Sequence, residues 1–110
     1  MGATKTEDYS EKTLRVAALF QALAHPARIA ILEQLAKSDT CQCGELVSEL
    51  PLAQSTVSQH LKAMGNAGVI RGTVEGTATC YCIDPKAIRQ LALFLEKLAS
   101  RLEQQEQKCC

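Results

Sequence analysis

The sequence predicts a mainly helical domain with one small β-hairpin, and three observations carry that prediction. Apolar residues recur at three- and four-residue intervals through most of the chain, the spacing of one face of a helix. The stretch from Val69 to Ile83 breaks that rhythm: it is rich in β-branched residues around Glu75-Gly76 and reads as a strand pair. Pro26, Pro51 and Pro85 each stand where one periodic run gives way to the next, as proline does at helix boundaries.

At 110 residues the chain makes one domain, with a core that a partner subunit would usefully extend. Its 12 basic and 12 acidic side chains cancel, so any surface attractive to nucleic acid has to be local. Met1 to Lys12 is polar and lacks the apolar centre of a secretory signal, and no run approaches membrane-spanning length; the expectation is a cytoplasmic protein without membrane contact. The expected division is a flexible tail over 1–12, one domain over 13–102 and a cysteine-ended tail over 103–110.

The first helix is expected over about residues 12 to 24, from Leu14, Ala17, Ala18, Phe20, Leu23 and Ala24. His25-Pro26 stops it, and Pro26 suits the first position of a second helix with the apolar set Ala27, Ala30, Ile31, Leu35 and Ala36. His25 there reads as a packing or capping residue rather than a ligand. After the Ser38-Asp39-Thr40 loop, a short helix from about Cys43 to Leu50 ends at Pro51, and another runs from about Gln54 to Ala67 with Val57, Leu61 and Met64 inward. Gly68 suits the left-handed residue that closes it. Two short helices joined by Pro51-Leu52-Ala53 form a helix-turn-helix.

The outward face of the second of these carries Ser55, Thr56, Ser58, Gln59, His60 and Lys62. Such side chains bond to base edges and phosphates when a helix start enters a major groove, although the same composition also suits a plain solvated face. Between Gln54 and Ile83 the only formal charges are Lys62, Arg71 and Glu75, so the electrostatic contribution is modest unless Arg15, Arg28 or Lys37 fold towards that face. The hairpin puts Ile70, Val74, Tyr81 and Ile83 on one face and Arg71, Thr73, Cys80 and Cys82 on the other. Placed directly after the recognition helix it is a wing, which makes the fold a winged helix-turn-helix. In the last helix, starting at Asp84-Pro85, Ile88, Leu91, Leu95, Leu98 and Leu102 alternate three and four apart and Phe94 widens the stripe. That seam outruns what the domain's own core needs and predicts a homodimer.

The six cysteines fall into three close pairs, Cys41/Cys43, Cys80/Cys82 and Cys109/Cys110. In a reducing compartment such pairs are expected as thiols acting as ligands or redox groups rather than as a disulfide framework.

Over about Leu14 to Leu102 the chain resembles the ArsR/SmtB family of metal-responsive bacterial repressors. The carrying residues are the run from Leu23 to Leu32 containing Ala24-His25-Pro26-Ala27-Arg28, Gly44-Glu45-Leu46, the run Gln54-Ser55-Thr56-Val57-Ser58-Gln59-His60-Leu61, and Ala67-Gly68-Val69-Ile70. In that family the first and last helices build the dimer, the recognition helices enter adjacent major grooves of the operator, and metal binding weakens that hold. The resemblance implies DNA contacts at Gln54, Ser55, Thr56, Ser58, Gln59, His60 and Lys62, wing contacts to the DNA backbone at Thr73, Gly76 and Thr77, and a homodimer through the first and last helices at Leu14, Ile88, Leu91, Leu95, Leu98 and Leu102. Its arsenic-sensing branch is similar in carrying a Cys-X-Cys pair at the start of the helix before the recognition helix, matched by Cys41 and Cys43. The third cysteine common in that branch is Leu46 here, and the Asp and His ligands of the zinc-sensing branch have no counterpart on the last helix. Ala53 replaces the usual capping serine and Gly65 interrupts the recognition helix, each expected to cost about 1 kcal/mol.

Arsenite and antimonite are soft and take three sulfurs in a pyramid, whereas structural zinc takes four ligands in a tetrahedron. Residues two apart on a helix diverge by about 200°, so Cys41 and Cys43 share an ion only where the helix start unwinds or Cys41 lies outside it. Cys109-Cys110 could supply the missing sulfur, and with Cys41 and Cys43 could form a zinc site. Cys80 and Cys82 suit either a separate site or a buried small-residue role. The expected function is a transcriptional repressor released by arsenite or antimonite, with thiol-redox and zinc- or cadmium-responsive regulation as alternatives. A thiol oxidoreductase is disfavoured, because the pairs are not CXXC on a βαβ pattern.

Overall fold

Ser10 starts the first helix: its hydroxyl accepts from the Thr13 N–H at 3.1 Å, and Glu11 follows where a negative charge suits the helix dipole. The computed structural model of the chain describes residues 8–37, 41, 51–76 and 78–105. Helix α1 spans Glu11–Leu23 and α2 spans Pro26–Ala36. Between them His25 caps α2, its Nδ1 accepting from the Ala27 N–H at 3.0 Å, with Pro26 at the first helical position. Helix α3 spans Gln54–Ala67, strands β1 and β2 span Ile70–Glu75 and Ala78–Ile83, and α4 spans Pro85–Gln105. The short helix expected over Cys43 to Leu50 lies outside the described residues. Two helix boundaries differ from expectation: Ser10 lets α1 begin at Glu11, inside the expected tail, and α4 continues past Leu102 to Gln105.

One core joins all these elements. Leu19 of α1, Ile31 of α2, Val57 and Met64 of α3, and Val69 and Ile70 at the wing base are almost completely buried, and Ala87 and Leu91 of α4 close it. Each such large aliphatic side chain contributes about 1.5–3 kcal/mol. The inward face of α1 is Val16, Leu19 and Ala22, not the expected stripe through Ala17, Ala18 and Phe20, which stays exposed. Helix α1 is apolar on two sides, and packing against α3 and α4 selects between them. Phe20 instead meets Phe94 edge-to-face at 5.9 Å between centroids. Leu91, of the expected seam, packs in this chain's own core, while Ile88, Leu95, Leu98 and Leu102 remain 36%, 51%, 44% and 48% exposed.

The hairpin is antiparallel, with Ile70 opposite Ile83, Arg71 opposite Cys82, Thr73 opposite Cys80 and Glu75 opposite Ala78. The two faces therefore divide as the alternation predicts, while β1 runs one residue further than expected and turns beyond it at Gly76, whose φ is +64°. Among the described residues no single helix is long and apolar enough to cross a membrane.

Helix α3 ends at Gly68, whose φ is +83° and whose N–H reaches the Gly65 carbonyl at 3.0 Å. Arg15 of α1 seals this end, its Nη1 donating to the Ala67 carbonyl at 2.7 Å. A Cβ on Gly68 would stand 3.0 Å from that guanidinium, whereas one on Gly65 would meet nothing within 4 Å. Chemical denaturation of the two single variants is expected to give opposite signs. Gly68→Ala should lose about 1–2 kcal/mol through its left-handed backbone and the displaced arginine, and Gly65→Ala should gain about 0.5–1 kcal/mol as an open helix-interior site.

Candidate nucleic-acid interface

Helix α3 is held on one side and open on the other. Val57, Leu61 and Met64 bury its inner face, and Ser55, Ser58, Gln59 and Lys62 form one exposed stripe on the outer face. Thr56 and His60, one turn apart, are half-buried at the edge between the two faces. Gln54 opens the helix. Ala53, the residue before it, supplies no side-chain cap. On the wing Thr73 and Gly76 are exposed, and Thr77 lies outside the described residues.

Two arginines brace this helix, in roles that sequence spacing did not assign. Arg28 donates from Nε to His60 Nδ1 at 3.1 Å and from Nη1 to the Ala22 carbonyl at 3.2 Å, tying α3 to α1 and α2. Arg15 holds the far end through Ala67. Arg15 and Arg28 thus do reach α3, where they donate to uncharged acceptors of the protein itself, and Lys37 pairs with Gln34 at the end of α2. The exposed cations on α3 and β1 are Lys62 and Arg71.

The inward turn of His60 changes its chemistry. Burial lowers its pKa below the ordinary 6.5, and the His25 ring at 4.6 Å and the Arg28 guanidinium lower it further. As acceptor from Arg28, its Nδ1 is unprotonated and its proton sits on Nε2. A histidine whose folded pKa is depressed stabilises the fold above its unfolded value and loses that contribution as pH falls below it. Thermal melts are therefore expected to show Tm falling as pH drops from the neutral range below 6.5, and His60→Gln should flatten that slope.

The cysteines meet across elements rather than within their neighbouring pairs. Cys41, half-buried between α2 and α3, is disulfide-bonded to Cys82 near the end of β2, with Cα atoms 4.6 Å apart. Cys80 is fully buried and also disulfide-bonded. The expectation of free neighbouring thiols, with Cys80 and Cys82 as a separate unit, is corrected accordingly. Both residues lie on the hairpin face turned away from Ile70 and Ile83, and that is the face Cys41 reaches. Cys43, Cys109 and Cys110 lie outside the described residues, among which no group of three His, Cys, Asp or Glu side chains is placed to hold a metal ion.

Known proteins share this architecture and sequence. Residues 25–71, from the cap of α2 into β1, match the family described as bacterial regulatory protein, arsR family. The uncharacterized HTH-type transcriptional regulator Rv0081 of Mycobacterium tuberculosis is 39% identical over 87 residues, covering 78% of this chain and 75% of that one. Its crystal structure matches with a TM-score of 0.62 at 34% identity, over 90% of this chain and 100% of that chain. The uncharacterized HTH-type transcriptional regulator MJ1325 of Methanocaldococcus jannaschii is 32% identical over 89 residues, 80% of this chain and 99% of its own. The HTH-type transcriptional repressor SmtB of M. tuberculosis is 48% identical over 63 residues, 57% of this chain and 46% of that protein. With the helical core, the wing and the open face of α3 in place, this chain belongs to the ArsR/SmtB family of winged helix-turn-helix transcription regulators, DNA-binding proteins rather than enzymes.

Proposed function

We propose that this chain is a homodimeric repressor, acting in the cytoplasm, that binds operator DNA through α3 and the wing and is released by a thiophilic metalloid, arsenite or antimonite. The observation that carries the DNA reading is the exposed Ser55, Ser58, Gln59 and Lys62 stripe on a helix locked from behind by Val57, Leu61, Met64 and two arginines. Gln54, Thr56 and His60 flank it, and Thr73, Gly76 and Thr77 offer the wing to the DNA backbone. The sign of regulation follows the similar SmtB, which is named a repressor. The second subunit covers the exposed Ile88, Leu95, Leu98 and Leu102 stripe of α4, with Leu14 and the Phe20 side of α1 beside it.

Release is assigned to thiolates because arsenic(III) is soft, and the sensing sulfurs start with Cys41, with Cys43, Cys109 and Cys110 as candidate further donors. A second reading, a thiol-redox regulator, is favoured by one specific observation, the Cys41–Cys82 disulfide. Fluorescence anisotropy of the reduced protein on a labelled duplex from upstream of its coding sequence, titrated with arsenite, zinc, cadmium and peroxide, separates these. Arsenite is expected to weaken binding by about 5- to 150-fold, the usual span of allosteric coupling, and Cys41→Ser to abolish that effect. Release by peroxide alone would favour the redox reading, release by zinc or cadmium alone would move the ligand to a tetrahedral ion, and release by none would end the metalloid reading.

A further inference from the structure

Cys41 and Cys82 are 41 residues apart in sequence, yet their Cα atoms are 4.6 Å apart. Two cysteines so placed direct both sulfurs into one small volume, and once reduced they form a dithiol that can close on a single ion. We propose that this inter-element dithiol is the site at which a trivalent arsenical is captured, so that the wing strand, and not the C-terminal Cys109-Cys110 pair, completes the sensor begun by Cys41. The proposal rests on the metalloid reading above and names its sulfurs.

The chemistry balances without an oxidant. A thiol or phosphine reductant first supplies two electrons and two protons to the disulfide. A monosubstituted arsenical, R–As=O, then forms two As–S bonds; the two thiol protons leave with the oxide oxygen as water, and arsenic stays at +III. Two sulfurs suffice for this ligand, since the organic group already occupies the third position of the arsenic pyramid.

The position of Cys82 explains what capture would do. It pairs with Arg71 on β1, next to the Ile70–Ile83 pair that packs on the core. Two residues on, the Asp84 N–H bonds to the Val69 carbonyl at 2.9 Å, and Asp84 Oδ1 accepts from the Lys86 N–H at 2.9 Å in the first turn of α4. Cys41 follows α2 in the chain. An ion held between Cys41 and Cys82 ties the chain after α2 to the base of the wing, beside the start of α4, the helix proposed to set two DNA-reading helices at a fixed spacing.

The test uses the reduced full-length chain and phenylarsine oxide, which is selective for paired thiols. A Cys43→Ser, Cys80→Ala, Cys109→Ser, Cys110→Ser protein keeps only Cys41 and Cys82, and is expected to retain one arsenical per chain through gel filtration, with its two titratable thiols falling to none. Adding Cys82→Ser should abolish retention. Failure of the folded two-cysteine protein to hold the arsenical would overturn the proposal. Because Cys80 is buried, the same question is put to the otherwise unaltered chain. Cys82→Ser should lose at least tenfold in arsenite-driven release from DNA, whereas Cys109→Ser, Cys110→Ser should release like the parent; the reverse pattern would overturn the assignment. Capture at Cys41 and Cys82 with no release of DNA would instead leave this site standing and sink the metalloid-regulator reading.

Discussion

A Leu95→Glu, Leu98→Glu protein is expected to sediment as a monomer that keeps the parent's helical content but melts lower, because the stabilisation the dimer supplies is gone. Both side chains are about half exposed in the single chain, while Ala87 and Leu91 on the other side of α4 are the ones that pack on the core. Two carboxylates on the open side therefore remain solvated in a monomer. In a dimer the same stripe, with Ile88 and Leu102, is buried against its copy, and an uncompensated buried charge costs about 3–5 kcal/mol. Loss of the dimer removes the second reading helix, and bivalent attachment of this kind is worth about 10²–10⁴ in affinity. Operator binding should fall accordingly. A dimer that persists in sedimentation would move the interface away from α4.

Ser58→Ala, Gln59→Ala is expected to leave the fold and the dimer intact and to lower operator affinity by about 1–3 kcal/mol for each base edge no longer read. The two side chains are exposed and no core residue depends on them, so stability should change by less than about 0.5 kcal/mol. Affinity for a random-sequence duplex should hardly change, because phosphate contacts supply that binding. Equal losses on both duplexes, or none on either, would place sequence reading elsewhere.

The parts legible in the sequence are those set by local rules. Helix α3 has the expected bounds because Val57, Leu61 and Met64 repeat at helical spacing and Gly68 supplies the left-handed stop. The hairpin faces follow from strict alternation about Gly76. The inward face of α1 was not legible, since Val16, Leu19 and Ala22 compete with an equally apolar stripe through Ala17 and Phe20, and only tertiary partners decide between them. Leu91 fits the dimer seam by spacing but lies on the part of α4 that passes over the core. Within the candidate interface, the polar stripe was visible from residue type, whereas the half-buried setting of His60 depends on Arg28, 32 residues away in sequence. The same limit applies to the thiols: neighbouring cysteines suggest local pairs, and nothing in their spacing reports that a strand brings Cys82 to Cys41.

Hydroxyl-radical footprinting of the reduced protein on the duplex from upstream of its coding sequence tests most directly that this chain reads DNA as a dimer of winged helix-turn-helix domains. Two symmetric patches of protection, centred about one helical turn apart at roughly 10 base pairs, are the predicted result, each flanked by weaker protection where the wing meets the backbone, and both fading when arsenite is added. A single unpaired patch, or protection that spreads evenly along any duplex offered, would contradict it.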